Sequence, residues 1–202
     1  MTIIWAKKIG WQWNLFADDC VSIGDYEISA SNNYRRKIRD LPRAPRKMFV
    51  ATAWSCRQVD VVVNSMDRIL SENMTKKTSA LELKDMLQQI MLEVYKEIKA
   101  VDDDAPNTII LLLDIETDTC YMIEWYAVNI ISENVECTFW SWDDTFYKLH
   151  KIPSKLDEDD KYISNFVFAA IDAPWCWLPV YQVNKDYCAA WDEDGIIAQK
   201  SW

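Results

Sequence analysis

Short apolar runs separated by turn residues open the chain. Residues 2–8 (TIIWAKK) and 12–17 (QWNLFA) read as two strands with Gly10 at the turn between them. Asp18-Asp19 forms a polar turn. Residues 20–23 continue toward a second turn at Gly24-Asp25, and 26–29 read as another short strand. A basic stretch, Arg35-Arg36-Lys37-Ile38-Arg39, then runs to Leu41-Pro42, and 47–53 (KMFVATA) read as a buried strand.

The period changes at Ser55, which is placed as a helix N-cap. Cys56, Val59, Val62, Val63, Met66, Ile69 and Leu70 follow on one helical face, and a polar loop is expected from Ser71 to Thr78. A second helix is marked more strongly: Ser79 and Glu82 make a capping box, and Leu83, Met86, Leu87, Ile90, Val94 and Ile98 make the apolar stripe. The loop at Asp102-Asp103-Asp104-Ala105-Pro106 stops it. Residues 108–113 (TIILLL) are apolar on both faces, as in the middle of a covered sheet. After a turn over 114–119, residues 120–125 read as its hairpin partner. Farther on, 156–173 read as a helix whose first turn is crowded by Asp157 to Asp160, where negative charge suits the helix dipole, and Pro174 ends it. Residues 180–183 and 189–191 read as final strands.

Strands, two consecutive helices and strands again predict an α+β layering, with sheets covered by helices, rather than the alternation of a doubly wound parallel sheet. The length of 202 residues suits a single domain, 1–202, with its own core. The 22 basic and 32 acidic residues give a net charge of −10, which opposes nucleic-acid binding. The basic cluster 35–47 offers a polyanion surface, but it has few interleaved aromatics beyond Tyr34 and the net charge opposes that reading; Lys37 also reads as one of several solvated basic side chains. Only 3 glycines are present, too few for glycine-rich phosphate loops. The 6 cysteines are scattered and there is 1 histidine, His150, so no metal site of ordinary zinc type is expected. No apolar stretch is long enough to span a membrane. The lysines near the start follow the apolar run instead of preceding it, so a cytoplasmic protein with free thiols is expected. The 11 tryptophans include a cluster at Trp140, Trp142, Trp175 and Trp177, read as packing or as a partner surface.

Several segments resemble, in order, those of the N-terminal nucleophile hydrolases, and more narrowly the proteasome β-subunit and the HslV-type peptidase. Thr2-Ile3-Ile4 resembles the opening threonine and its strand. Ala17-Asp18 resembles the strand-end aspartate, sixteen residues beyond the threonine, and Val21-Ser22-Ile23-Gly24 the turn after it. Residues 36–41 resemble the segment carrying the catalytic lysine, here Lys37. Residues 47–53 and 108–113 resemble the strands flanking the central helices. The resemblance covers about 2–132; from about 133 onward the chain diverges. It implies a four-layer αββα sandwich of two antiparallel sheets, a ring-shaped homo-oligomer, an unfolded protein or peptide substrate, an ATPase unfoldase as partner, and no cofactor.

The implied chemistry is self-contained. A threonine hydroxyl needs a base beside it, and removal of Met1 gives Thr2 a free α-amine to serve as that base. A nearby Lys37 ammonium lowers the basicity of this amine, and Asp18 holds the lysine charged and aimed. By resemblance the backbone donors for the substrate oxyanion come from Ala53 and Trp54, and Ser132 assists. Two departures from the family pattern accompany this reading: Ala53-Trp54 replaces the usual glycines, and Ile131 and Glu133 flank Ser132 in place of glycine. They support the alternative of a catalytically inactive homologue acting as a protein-binding or assembly subunit. A third reading is an amidohydrolase of the same fold acting on small amides.

Overall fold

The computed structural model describes residues 4–18, 20–23, 26–29, 37–53, 56–101, 109–132, 180–192 and 195–201. The element order is β1 (Ile4–Ile9), β2 (Gln12–Asp18), β3 (Cys20–Ile23), β4 (Tyr26–Ser29), β5 (Ile38–Asp40), β6 (Met48–Ala53), α1 (Cys56–Asn73), α2 (Ala80–Val101), β7 (Ile109–Asp114), β8 (Thr119–Glu124), β9 (Ala127–Ile130), β10 (Val180–Val183), β11 (Tyr187–Asp192) and β12 (Gly195–Ser201). Two compact units result, one drawn from 1–37 with 136–202 and the other from 38–135. The α+β class is as the order of elements predicted, and every described strand pairing is antiparallel. The helix expected over 156–173 lies outside the described residues.

The unit 38–135 is a five-stranded sheet, β5-β6-β7-β8-β9, packed against α1 and α2. Apart from Thr52 and Asp114, strands β6 and β7 are apolar, and residues on both their faces are buried: Val50 lies opposite Leu112, and Ala51 opposite Leu111. The helical stripes supply the other side of the core. Val59, Val62, Met66 and Leu70 of α1 meet Leu83, Leu87, Ile90, Val94 and Ile98 of α2 over Val50, Leu112, Tyr121 and Ile123. Burying one such leucine or isoleucine contributes about 1.5–3 kcal/mol.

The start of α2 is the one the sequence specified. Ser79 N donates to Glu82 Oε2 at 2.7 Å, and Glu82 N donates back to Ser79 Oγ at 3.3 Å. The backbone N–H and then the hydroxyl of Ser79, both donating to Glu82, hold its carboxyl below the usual range. The other end of the connection differs from expectation: α1 continues through Ser71 to Asn73 instead of yielding to a loop. Buried Met74 draws the chain onward, with its N–H donating to Leu70 O at 2.9 Å. The Ser71 hydroxyl and Asn73 amide donate to the carbonyls of Arg68 and Ile69.

A buried ion pair ties this connection to the sheet. Arg46 Nη2 lies 2.8 Å from Asp114 Oδ2, and Arg46 Nη1 donates to Thr78 O at 2.8 Å. Tyr121 Oη donates to Ala80 O at 3.1 Å. Burial pushes the Asp114 carboxyl up, against the opposing effects of the Thr117 hydroxyl and the Arg46 charge. Burial, with the charge of Asp114, also pushes the Tyr121 phenol up. Arg46, from the basic cluster 35–47, is thus a buried, paired cation. Short strands β5 and β9 also lacked a clear sequence signal; β9 closes on Trp125-Tyr126 after β8, with Trp125 at φ 59°.

The other unit contains a five-stranded sheet, β1-β2-β10-β11-β12, and the hairpin β3-β4. β1 and β2 join through a two-residue turn, Gly10-Trp11, since Ile9 lies opposite Gln12. Both turn residues have positive φ, 56° and 72°, as a type I′ turn requires. Trp11 therefore holds a left-handed conformation while 83% exposed. At the far end of β2, Asp18 belongs to the strand and not to a turn, because β10 pairs with it and sets Val180 opposite. β11 runs longer than expected and β12 was not foreseen.

Candidate active site

Asp18 closes β2, and Lys37 immediately precedes β5. The fold brings these two residues together although nineteen positions separate them. Lys37 Nζ donates to Asp18 Oδ1 at 2.5 Å, and the side chains are 6% and 0% exposed. Desolvating two charges is unfavourable, and their mutual attraction offsets that penalty only while both remain in place. Lys37 is thus a buried, carboxylate-held cation. Such a cation can bias a neighbouring amine toward its neutral form and can stabilise a developing anion.

The other sequence-predicted site residues are placed as follows. Ala53 ends β6, is buried, and lies opposite Ile109. Ser132 is exposed and follows buried Ile131, whose N–H donates to Cys120 O at 2.9 Å. Thr2 and Trp54 lie outside the described residues. Among the described residues, no group of three or more His, Cys, Asp or Glu side chains could hold a metal ion.

A second polar cluster lies along the strand that carries Asp18. Asn14, Gln182 and Asn184 are all buried. Asn14 Oδ1 accepts from Gln182 Nε2 at 2.8 Å and from Asn184 Nδ2 at 2.9 Å. Trp191 Nε1 donates to Gln182 Oε1 at 2.8 Å. The sequence carried a trace of this: a polar residue interrupts each of the apolar runs QWNLFA and VYQV.

Solved structures share this architecture. A Thiobacillus denitrificans BPH matches with a TM-score of 0.61 at 17% identity, covering 91% of this chain and 97% of that one. Anbu (ancestral beta-subunit) from Yersinia bercovieri matches at 0.63 and 14% identity, covering 90% and 80%. Eukaryotic HslV from Trypanosoma brucei matches at 0.59 and 12% identity, covering 90% and 98%. The fold is that of the N-terminal nucleophile hydrolases. No protein-family model matches the sequence, and no curated protein sequence does. At these identities the N-terminal nucleophile fold is what is shared. Among the described residues, no helix is long and apolar enough to cross a membrane.

Proposed function

We propose that this chain is an HslV-like N-terminal threonine peptidase. The observation that carries the reading is the buried Lys37–Asp18 ion pair, which joins the two positions matched to the catalytic lysine and strand-end aspartate. Support comes also from the fold and from one similar structure, a Thiobacillus denitrificans BPH in complex with epoxomicin, matching at a TM-score of 0.60 and 16% identity. After removal of Met1, the Thr2 hydroxyl attacks the peptide carbonyl while its own α-amine takes the hydroxyl proton. Lys37 lowers the basicity of that amine, and Asp18 fixes Lys37. Backbone N–H groups at Ala53 and Trp54 receive the developing oxyanion, and Ser132 assists proton movement. The amine then protonates the leaving group, and water hydrolyses the acyl ester on Thr2. The substrate is an unfolded polypeptide, and the working form is a cytoplasmic homo-oligomeric ring fed by an ATPase unfoldase.

Intact mass together with epoxyketone labelling tests this. The expected result is loss of Met1 and one adduct, mapped to Thr2, that is absent from Thr2→Ala. A chain that retains Met1 and takes no adduct overturns the peptidase reading. That outcome favours an inactive, protein-binding homologue, the reading supported by Ala53-Trp54 in place of glycines.

A further inference from the structure

The sheet that carries Asp18 is assembled from hairpins, and two of them meet along β2 and β10. Local turns fix each hairpin internally. β1–β2 closes on Gly10-Trp11. β10–β11 closes on Lys185-Asp186, where Asn184 Oδ1 accepts from Asp186 N and Tyr187 N at 2.9 Å and Asn184 N donates to Tyr187 O at 3.0 Å.

No turn fixes one hairpin against the other, because Asn14 and Gln182 are 168 residues apart. Apolar patterning specifies this register weakly. Residues 13–18 of β2 are buried on both faces, and β10 is nearly so. A register slip therefore does not move a hydrophobic face into water, which is the usual penalty. The buried amides supply the missing specificity. On the face shared by Asn14, Phe16 and Asp18, the Asn14 carbonyl oxygen receives both Gln182 and Asn184, and Asn14 Nδ2 donates to Gln12 O at 2.9 Å. Gln182 is held on its other side by Trp191. Asn184 thus joins its own turn to the neighbouring hairpin through the two ends of one side chain. Slipping β10 by two residues displaces it about 7 Å along β2 and leaves these amides buried without their partners.

We infer that Asn14, Gln182 and Asn184 form a register lock between the two hairpins and so act as positioning residues for Asp18, setting it opposite Val180 where Lys37 meets it. This inference rests on the peptidase reading for its consequence in activity, but the register itself can be measured independently.

The experiment uses the full chain, isotopically labelled, and four proteins: wild type, Asn14→Leu, Asn14→Asp and Asn184→Ala. Asn14→Leu removes the double acceptor at similar volume; Asn14→Asp keeps it. Cross-strand backbone NOEs between residues 15 and 183 and between 17 and 181 report register. The Lys37 side-chain chemical shifts at one fixed pH report its contact with Asp18. In Asn14→Leu the wild-type NOEs are expected to vanish or divide into two sets, with the Lys37 side-chain chemical shifts moved and Thr2-directed epoxyketone labelling slowed at least about tenfold. Asn14→Asp, which keeps the acceptor but gives up the Nδ2 donation to Gln12 O and buries a charge, is expected to keep the wild-type NOEs and Lys37 chemical shifts at lower stability, and Asn184→Ala falls between. The proposal is overturned if folded Asn14→Leu keeps the wild-type NOEs and Lys37 chemical shifts, or if it changes register and still labels at the wild-type rate. Unfolding of both Asn14→Leu and the milder Asn184→Ala also overturns it, since that marks a general stabilising role. If wild type itself takes no label, the peptidase reading fails while the NOEs and Lys37 chemical shifts still decide the lock.

Discussion

Lys37 Nζ and Asp18 Oδ1 stand 2.5 Å apart at the end of β2, both shut away from solvent. Lys37→Met leaves the Asp18 carboxylate buried without its counter-charge and is expected to destabilise the chain by about 3–5 kcal/mol. The double variant Asp18→Asn/Lys37→Met recovers most of that loss because no uncompensated charge remains. Neither variant is expected to take an epoxyketone adduct at Thr2. Urea midpoints and intact mass check both halves; a double variant that labels like wild type removes the pair from the mechanism.

The Gly10-Trp11 turn stores strain at an exposed position. A non-glycine residue held at φ 72° is disfavoured, and Trp11 at 83% exposed buries little in return. Asparagine tolerates the left-handed region. Trp11→Asn is therefore expected to stabilise by roughly 0.5–1 kcal/mol, read as a rise in urea midpoint at unchanged slope. A fall instead assigns the indole a stabilising contact.

Arg46 and Asp114 form a second buried pair, in the other unit. Arg46→Met is expected to cost about 3–5 kcal/mol at pH 7. The loss should be smaller at pH 5. Burial already pushes the Asp114 carboxyl up, and removing the guanidinium pushes it further, so protonation in the folded state relieves the orphaned charge. Adding Asp114→Leu to Arg46→Met should restore most of the stability at both pH values. Denaturation at the two pH values checks the sign.

Glu82 supplies a pH dependence of opposite direction. Its folded-state carboxyl is held below its ordinary value by Ser79. A depressed carboxyl contributes stability that is present above the unfolded value, near 4.5, and is lost as the pH falls through the folded value. Glu82→Gln retains a capping side chain without the charge. Wild type is expected to be the more stable of the two above pH 5, and the two should converge in more acidic solution. Parallel curves across that range remove the charge-dependent part of the cap.

What could be read in advance follows from how local each signal is. α2 was legible because a capping box and a helical stripe lie within one segment, and β6 and β7 because covered strands read as near-continuous apolar runs, broken here only by Thr52 and Asp114. β5 and β9 are three and four residues long and largely exposed or half-buried, too short for a period to register. Lys37 and Arg46 sit among other cations, and nothing local separates a buried cation from a solvated one; only the chain's return with Asp18 and with Asp114 does so. Pairing of positions 18 and 37 was expected from family resemblance, not from composition. The amides of Asn14 and Gln182 appeared only as interruptions in apolar runs, and that of Asn184 only as the first residue of a polar turn, because their partners lie far away along the chain.

The division of the sequence between the two units gives their completion an order in time. Residues 38–135 are contiguous and can close their core as soon as they leave the ribosome. The β1–β2 hairpin emerges earlier, yet it must hold Trp13, Leu15 and Phe16 without their final neighbours until β10 has been synthesised. The first strands made are thus among the last to be finished. During that interval, newly made copies are vulnerable to mispairing through an unfilled place in the very sheet that bears Asp18.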